Sequence, residues 1–429
     1  MEREFHIRQK GISTVLEELK QRLVAMSARM RRYEDRSVQY RQNMLFESNQ
    51  KKLFDEIEGK SKGETVVPNA EESQKFWSDI WDNPVKHNEN AEWLRDLESE
   101  LANIEQQENI TIDIKSLRTK LKKVPNWKSP GPDGVQGYWL KNFTTLHERI
   151  AVQLDQCLKD ASVPVWMTTG KTVLCLKDPE KGALVSNFRP ITCLPLMWKL
   201  LTGILADDLY SHLENKDLLP VEQKGGRKGS RGTKDQLLID KMIIRNSKRR
   251  QTNLAMAWID YKKAYDMVPH SWIQKSLKLF KVADNMDKLI TESMKQWNTD
   301  LTANGESLGN VKIKRGIFQG DSLSPLLFVI AMIPMTLILR KVKMSYSLGK
   351  NKDSINHLLF MDDLKLYSKT EDQIDSLIHT VRIFTEDIQM EFGLSKCAMI
   401  VLKRGKLVRS DGVMMPDGEM LKSLEEEDK

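Results

Sequence analysis

Apolar side chains recur at Ile12, Leu16, Leu19, Leu23, Met26, Met30 and Tyr33, at alternating spacings of four and three. That repeat predicts a long helix with a heptad-like seam, suited to docking. The helix then turns basic and aromatic through RMRRYEDRSVQYRQN. There Arg29, Arg31, Arg32, Arg36 and Arg41, with Tyr33 and Tyr40, fit either RNA held by phosphate contact and stacking or plain surface charge. Residues 59–73, GKSKGETVVPNAEES, have few apolar positions and predict a linker. QKFWSDIWDNP predicts a short amphipathic helix ending before Pro84. PNWKSPGPDGVQGYWLKNF opens with turns, exposing backbone N–H groups, and continues as a helix.

Further along, KTVLCLKDPEKG alternates and then breaks, as a strand followed by a turn. It leads into NFRPITCLPLMWKLLTGILADDLYSHL, whose second half is a strongly apolar helix. The apolar run in NLAMAWIDYKKAYDMVPH predicts a strand ending on Asp260, with a helix at SWIQKSLKLF. VKIKRGIFQGDSLSPLLFVIAM predicts a strand, a tight turn and a buried helix. HLLF and LKLY are apolar runs separated by MDD, the pattern of a tight hairpin with acids at its tip. A helix at EDQIDSLIHTVRIFTEDIQMEFG and a last strand at SKCAMIVLKRG follow. The whole is a mixed α/β (α+β) pattern in which acids fall at strand ends or turns.

Composition narrows the class. The 429 residues suffice for two or three domains or one multi-lobed unit. No apolar run approaches the roughly 20 residues of a membrane span, and the charged start MEREFHIRQK lacks a secretory h-region. Cys157, Cys175, Cys193 and Cys397 form no CxxC pair, which argues against zinc ribbons and disulfide frameworks and fits an intracellular, non-secreted setting. The net charge is +7, and ten Lys and Arg between Lys224 and Arg250 face only Asp235 and Asp240. Such a concentration fits a polyanionic partner, although a solvated helix face has the same composition.

Two adjacent acids inside an apolar hairpin need an explanation. Another pair, Asp207 and Asp208, lies in a helical run and reads as solvated. Asp362 and Asp363 differ because their flanks are strands. Close carboxylates repel and raise one another's pKa unless a hard cation neutralises them. A third acid at another strand end, Asp260, would complete a two-metal site.

At these residues the chain resembles the reverse transcriptase family, specifically the polymerases of non-LTR (LINE-type) retrotransposons, with details closest to R2-like elements. NWKSPGPDGV, NFRPITCLPLMWKLL, RKGSRGTKDQL, WIDYKKAYDMVPH, GIFQGDSLSPLLF, FMDD and FGLSKCA resemble its motifs in the family's order, across residues 126–402. The resemblance implies a right-hand polymerase fold with fingers and palm, and RNA-directed DNA polymerase activity with two Mg²⁺ ions (Mn²⁺ as a substitute). It implies metal ligation and catalysis by Asp260, Asp362 and Asp363, and a steric gate at Tyr265, whose isolated reading would be core packing. Lys177 and Arg189 match triphosphate-clamping positions, Gln319 and Gly320 lie where the new base pair sits, and Lys396 matches a proton donor to pyrophosphate. Arg227, Lys228 and Arg231, with Arg31 and Arg32 on the first helix, are the expected nucleic-acid contacts. The implied partners are an RNA template, a DNA primer or target and dNTPs, with no membrane, in the nucleus at the site of target-primed synthesis.

The expected layout is a helical extension at 1–58, linker and short helices at 59–109, fingers at 110–254 and palm at 255–402. The remainder, 403–429, is expected to be the start of a palm–thumb connection that is C-terminally truncated, with the thumb largely absent and an acidic tail at 425–428. EQKGGRKGSRG lacks the aromatic that family members carry before the Arg, and no endonuclease signature is visible. A catalytically silent remnant and an RNA-binding protein retaining the fold fit the same motifs. A group II intron maturase should add a basic thumb.

Overall fold

The computed structural model describes residues 12–48, 54, 66–349, 354–415 and 418–424. Parts of the expected extension and linker (1–11, 49–53, 55–65) and the acidic tail at 425–428 lie outside them. The chain divides into two compact units, 1–66 and 67–429. In the first, helix α1 spans Ile12–Ser48 as one element. Leu16, Leu19, Leu23, Met26, Met30 and Tyr33 of its seam are exposed.

The second unit opens with α2 (Ala70–Trp81). The Asn69 side chain caps it by accepting from the Glu72 N–H, and Glu71 and Glu72 suit the positive end of the helix. Trp77 and Trp81, four apart, stack at 4.6 Å and are buried. The stretch expected as linker with short helices therefore contributes core. α3 (Glu92–Glu100), α4 (Ile114–Lys123), α5 (Gly137–Asn142) and α6 (His147–Lys159) follow, then strands β1 (Thr169–Leu176) and β2 (Phe188–Cys193). α7 (Leu196–Asn215) and α8 (Thr233–Arg250) lead to β3 (Leu254–Ile259). α9 (His270–Leu279), α10 (Asp284–Met294), β4 (Asn298–Ala303) and β5 (Glu306–Lys312) come next.

α11 (Ser324–Lys341) is apolar on all sides. By length and composition it would cross a membrane, yet most of it is buried inside the protein. It is a core helix. A short ribbon, β6 (Tyr346–Ser347) with β7 (Ser354–Ile355), precedes the hairpin β8 (His357–Phe360) and β9 (Asp363–Ser368). α12 (Glu371–Asp387) and β10 (Ala398–Lys403) then follow, as the sequence predicts. Three further short strands correct that reading of the chain's end: β11 (Lys406–Val408), β12 (Val413–Met414) and β13 (Met420–Ser423). They are too short to show periodicity; β11 and β13 become strands by pairing with β10, and β12 by pairing with β13.

A seven-stranded sheet runs β12-β13-β10-β3-β9-β8, with β11 also on β10. A four-stranded sheet runs β2-β1-β4-β5. β4 and β5 thus join strands that precede β3 by more than sixty residues. A contiguous fingers-then-palm division at 254/255 does not follow the sheets, because the chain returns to the first sheet after making β3. α8 packs across the larger sheet, with Ile243, Met256, Leu358, Tyr367 and Leu402 in one core cluster.

Because Trp77 is fully buried against its stacked partner, Trp77→Ala is expected to destabilise the second unit by about 3–5 kcal/mol. Urea unfolding measures this; a linker residue would give a change near zero.

Candidate active site

Antiparallel register builds the acid row. Ile259 pairs with Leu364 across β3–β9, and Phe360 with Asp363 across β8–β9. Continuing that register by one residue sets Asp260 opposite Asp363. On the other side Trp258 pairs with Ala398, and the same continuation brings Lys396 beside Asp260. The Lys396 Nζ lies 2.9 Å from Asp260 Oδ2. Three neighbouring strand ends thus carry acid, acid and base in a row.

The hairpin turn has two residues, Met361 and Asp362. Met361 is left-handed at φ 56°, a conformation that costs a non-glycine residue about 1 kcal/mol or more. Gln223 holds it there. Its Oε1 accepts from Met361 N–H at 2.9 Å, and its Nε2 donates to Met361 O at 3.2 Å. The backbone of 222–224 also bonds both sides of Leu359. Gln236 Nε2 donates to the carbonyls of Leu359 (2.7 Å) and Glu222 (3.0 Å). The segment EQKGGRKGSRGTKDQ is therefore stitched at both its ends to the open edge of the hairpin.

A cleft of about 860 Å³ lies in front of this turn. Asp260, Asp362, Lys177, Arg189, Tyr265, Gln319, Gly320 and Lys396, predicted separately from the sequence, all line it. Asp363 does not. It lines a neighbouring cavity of about 460 Å³, which also borders Asp260 and Lys396. The cause is parity: Asp363 begins a strand and points with Lys365 and Tyr367, whereas Asp362 belongs to the turn. Burial, and then the charges of Asp363 and Asp260, raise the Asp362 carboxyl above its ordinary value. Burial and Asp260 do the same for Asp363. Below the hairpin, Asp240 accepts from Lys365 Nζ (2.6 Å) and Tyr367 OH (2.9 Å), and Lys365 stands 4.0 Å over the Trp258 ring.

Tyr265 is packed and also faces the cleft. Its ring stacks on Phe328 at 4.8 Å, nearly parallel, and it also lines the cleft. Gly320 is left-handed (φ 136°), and a Cβ there would lie 2.3 Å from Thr192 O. Only glycine lets this turn sit on β2, where Thr192 N–H donates to Gln319 O at 2.8 Å.

The chain matches the profile of Reverse transcriptase (RNA-dependent DNA polymerase) over residues 177–415. The chain belongs to the reverse transcriptase family. It is 28% identical over 303 residues to the Retrovirus-related Pol polyprotein from type-1 retrotransposable element R2 of Popillia japonica, covering 68% of this chain and 39% of that one. It is 23% identical over 348 residues to the corresponding protein of type-2 element R2DM of Drosophila melanogaster, covering 79% and 30%. A type-1 R2 protein of Nasonia vitripennis is 25% identical over 273 residues. The chain thus spans less than half the length of the first two relatives, and its likeness runs to non-LTR elements of the R2 kind.

Reverse transcriptases use divalent metal ions, and the donor set here fits that chemistry. Asp260 and Asp362 face one cleft, and Mg²⁺ takes one or two carboxylates when substrate phosphates complete its shell. Burial, and after it the charges of Asp363 and Asp260, disfavour the ionised Asp362 carboxyl, and a hard dication would favour it. Among the described residues, no three His, Cys, Asp or Glu side chains stand close enough to cage an ion alone.

The nucleic-acid candidates fall elsewhere. Arg227 donates to the carbonyls of Leu219 and Pro220, at 3.0 and 3.1 Å, which gives it a structural duty. Lys228 stands 3.6 Å from Asp207 and 4.3 Å over the Tyr210 ring. Asp207, read as solvated, also pairs with Lys120 at 2.6 Å. Arg231 is exposed, and its backbone N–H donates to Asp235. Arg31 and Arg32 are exposed on α1, in the other unit.

Several site residues escaped the sequence reading. Asp266, beside Tyr265, is buried. It accepts from Trp81 Nε1 and from Gln319 Nε2, each at 3.3 Å. Lys263 lines the cleft with its ammonium 4.7 and 4.5 Å over the rings of Phe76 and Trp77. Burial lowers its pKa to about 8, against the pull of Asp266. The signal was present as KKAYD, a second acid behind an apolar pair, but its partners are 185 and 53 residues away.

Burial pushes Asp266 up to about 6, while Lys263, Trp81 and Gln319 favour its charge. An unfolded Asp ionises near 4, so folding takes up a proton between those values. The ionised form therefore costs stability above about pH 6, and the cost fades as pH falls towards 4. Asp266→Asn is expected to gain up to about 2 kcal/mol relative to the natural chain at pH 7.5, with the difference shrinking by pH 4.5. Chemical denaturation at the two pH values measures it.

Proposed function

We propose that this chain copies RNA into DNA, adding dNTPs to a primer 3′-OH as the polymerase core of a non-LTR, R2-like element. What carries the reading is one cleft that gathers Asp260 and Asp362 with Lys177, Arg189, Lys263, Lys396 and Tyr265. In this reading the four-stranded sheet belongs to the fingers and the seven-stranded sheet to the palm. The substrates are an RNA template, a DNA primer and dNTPs, and the working place is the nucleus.

Asp260 and Asp362 hold Mg²⁺, or Mn²⁺, with Asp363 supporting from the adjacent face. When bound, such ions lower the pKa of an attacking hydroxyl and stabilise a departing pyrophosphate. Lys177, Arg189 and Lys263 orient the triphosphate by charge. Burial and the neighbouring Arg189 lower the Lys177 ammonium from its ordinary value. Tyr265, fixed by its stack on Phe328, crowds a ribose 2′-OH. Gln319 is oriented by Asp266, and Gly320 lets the new base pair approach the backbone. Lys396 Nζ, now held by Asp260, is placed to give a proton to the leaving pyrophosphate.

Asp260→Asn and Asp362→Asn are each expected to lower primer extension on RNA by at least about a thousandfold, the scale of removing electrostatic stabilisation of the transition state. Thermal unfolding should stay within a few degrees. Full extension by either variant rejects the assignment, and RNA binding without extension by the natural chain would identify a silent member of the family. Tyr265→Ala should raise rNTP incorporation relative to dNTP by roughly tenfold or more, since a lost steric exclusion is worth about 1–3 kcal/mol. Single-nucleotide kcat/KM ratios report it, and unchanged ratios remove Tyr265 from the gate.

A further inference from the structure

An indole, a carboxylate and an amide meet at the wall of the cleft. Trp81 Nε1 donates to Asp266 Oδ1 at 3.3 Å. Gln319 Nε2 lies 3.3 Å from each of the two Asp266 oxygens. Trp81 and Asp266 are buried, and Gln319 lines the cleft. The backbone fixes all three. Trp81 stacks on Trp77, and its carbonyl accepts from the N–H groups of Lys314 and Arg315 at 2.7 and 3.1 Å. Asp266 sits in a single helical turn, Ala264–Met267. Ile317 N–H donates to Tyr265 O at 2.9 Å, which ties the loop carrying Gln319 to that turn. Gly316 permits the approach, since a Cβ there would lie 2.5 Å from Asp266 O. On its other side Gln319 O accepts from Thr192 N–H at 2.8 Å. Only the side-chain amide of Gln319 is left to choose an orientation.

An amide has a donor end and an acceptor end of nearly equal size, so its partner decides which way it points. An ionised carboxylate offers acceptors only. Asp266 therefore takes the NH₂ end of Gln319 and leaves Oε1 for the cleft, without a protein partner among the described residues. Trp81 secures that choice from the far side. Its N–H donates to the carboxylate, and Lys263 and Lys177 add positive charge, so Asp266 is ionised at neutral pH although burial moves it up to about 6. A neutral acid or an amide at 266 presents a donor as well as an acceptor, and Gln319 can then turn either way. The buried charge that costs the fold stability thus has a use at the cleft.

We propose that Trp81 is a positioning residue for the incoming nucleotide: acting through Asp266, it sets which end of the Gln319 amide faces the cleft. Trp81 lies on α2, outside residues 177–415 that match the family profile. That a nucleotide meets this amide rests on the polymerase reading; the coupling of Trp81 to Gln319 does not.

Two measurements on the full chain test it. In the first, glutamine side-chain amides are labelled with ¹⁵N, and the Gln319 NH₂ signal is assigned by its loss in Gln319→Ala. Trp81→Phe keeps a ring on Trp77 and removes the N–H. It is expected to shift the Gln319 signal and to speed its exchange with water by about fivefold, the scale of one net hydrogen bond. Asp266→Asn should move the same signal. The second measurement is single-nucleotide addition on primed RNA at neutral pH. Trp81→Phe and Asp266→Asn are each expected to raise KM for the dNTP by about fivefold to tenfold and to hold kcat within about twofold, because an interaction made equally in the ground and transition states acts on KM. Asp266→Asn should do so while unfolding at a higher temperature than the natural chain, a combination that a packing role does not produce. Combined with Gln319→Ala, neither substitution should raise KM further, as expected of residues that act as one unit. A Gln319 signal unmoved by Trp81→Phe overturns the proposal. So does an unchanged KM, or additive losses in the double variants, in a chain that extends primers. If the natural chain does not extend primers but Trp81→Phe moves the Gln319 signal, the coupling stands and the polymerase reading falls.

Discussion

A methionine held in the left-handed conformation by one glutamine sets the geometry of the whole site. Met361 completes a turn of two residues, and Gln223 bonds both sides of it. A turn one residue longer would reverse the faces of every side chain that follows in β9. Lys365 and Tyr367 would leave Asp240, and Asp363 would change sides. The strain at Met361 is local, but the register it protects spans the sheet. From that register come the neighbouring strand ends of Asp363, Asp260 and Lys396.

Negative charge gathered in this way opposes folding, and the structure moderates it by distribution. Lys396 partners Asp260 directly. Asp362 and Asp363 are separated onto two faces, each with a carboxyl shifted towards its neutral form. Behind them Asp266 is buried among an indole N–H, an amide and an ammonium. The cleft therefore rests as a balanced set of charges, and a substrate carrying phosphates and cations would rearrange that balance.

Much of this was legible because it is local. Strand β3 ending on Asp260, the hairpin around Asp362 and the buried α11 each carry their own periodicity. The order of the motifs supplied the cleft residues, and all eight meet in one cavity. What escaped depends on distant pairing. Nothing in NTDLTA says that it lies parallel to β1, 129 residues earlier at Thr169 and Asn298. The short strands after β10 have too few residues for a pattern. Asp363 was grouped with Asp362 by adjacency, although the alternation of strand side chains separates the two once the turn length is known. The roles of Gln223 and Trp81 depend on partners 138 and 185 residues away.

The helix at Ala70–Trp81 carries a lesson about where this fold begins. Its Phe76 and Trp77 cover Lys263, its Trp81 indole bonds Asp266, and the Trp81 carbonyl accepts from the N–H groups of Lys314 and Arg315. The match to the family profile starts a hundred residues later, at 177. A recognisable motif block and a self-sufficient folding unit are therefore different objects here. A fragment trimmed to the former would keep every signature acid, yet leave a buried carboxylate and a cleft lysine facing water where tryptophans had been.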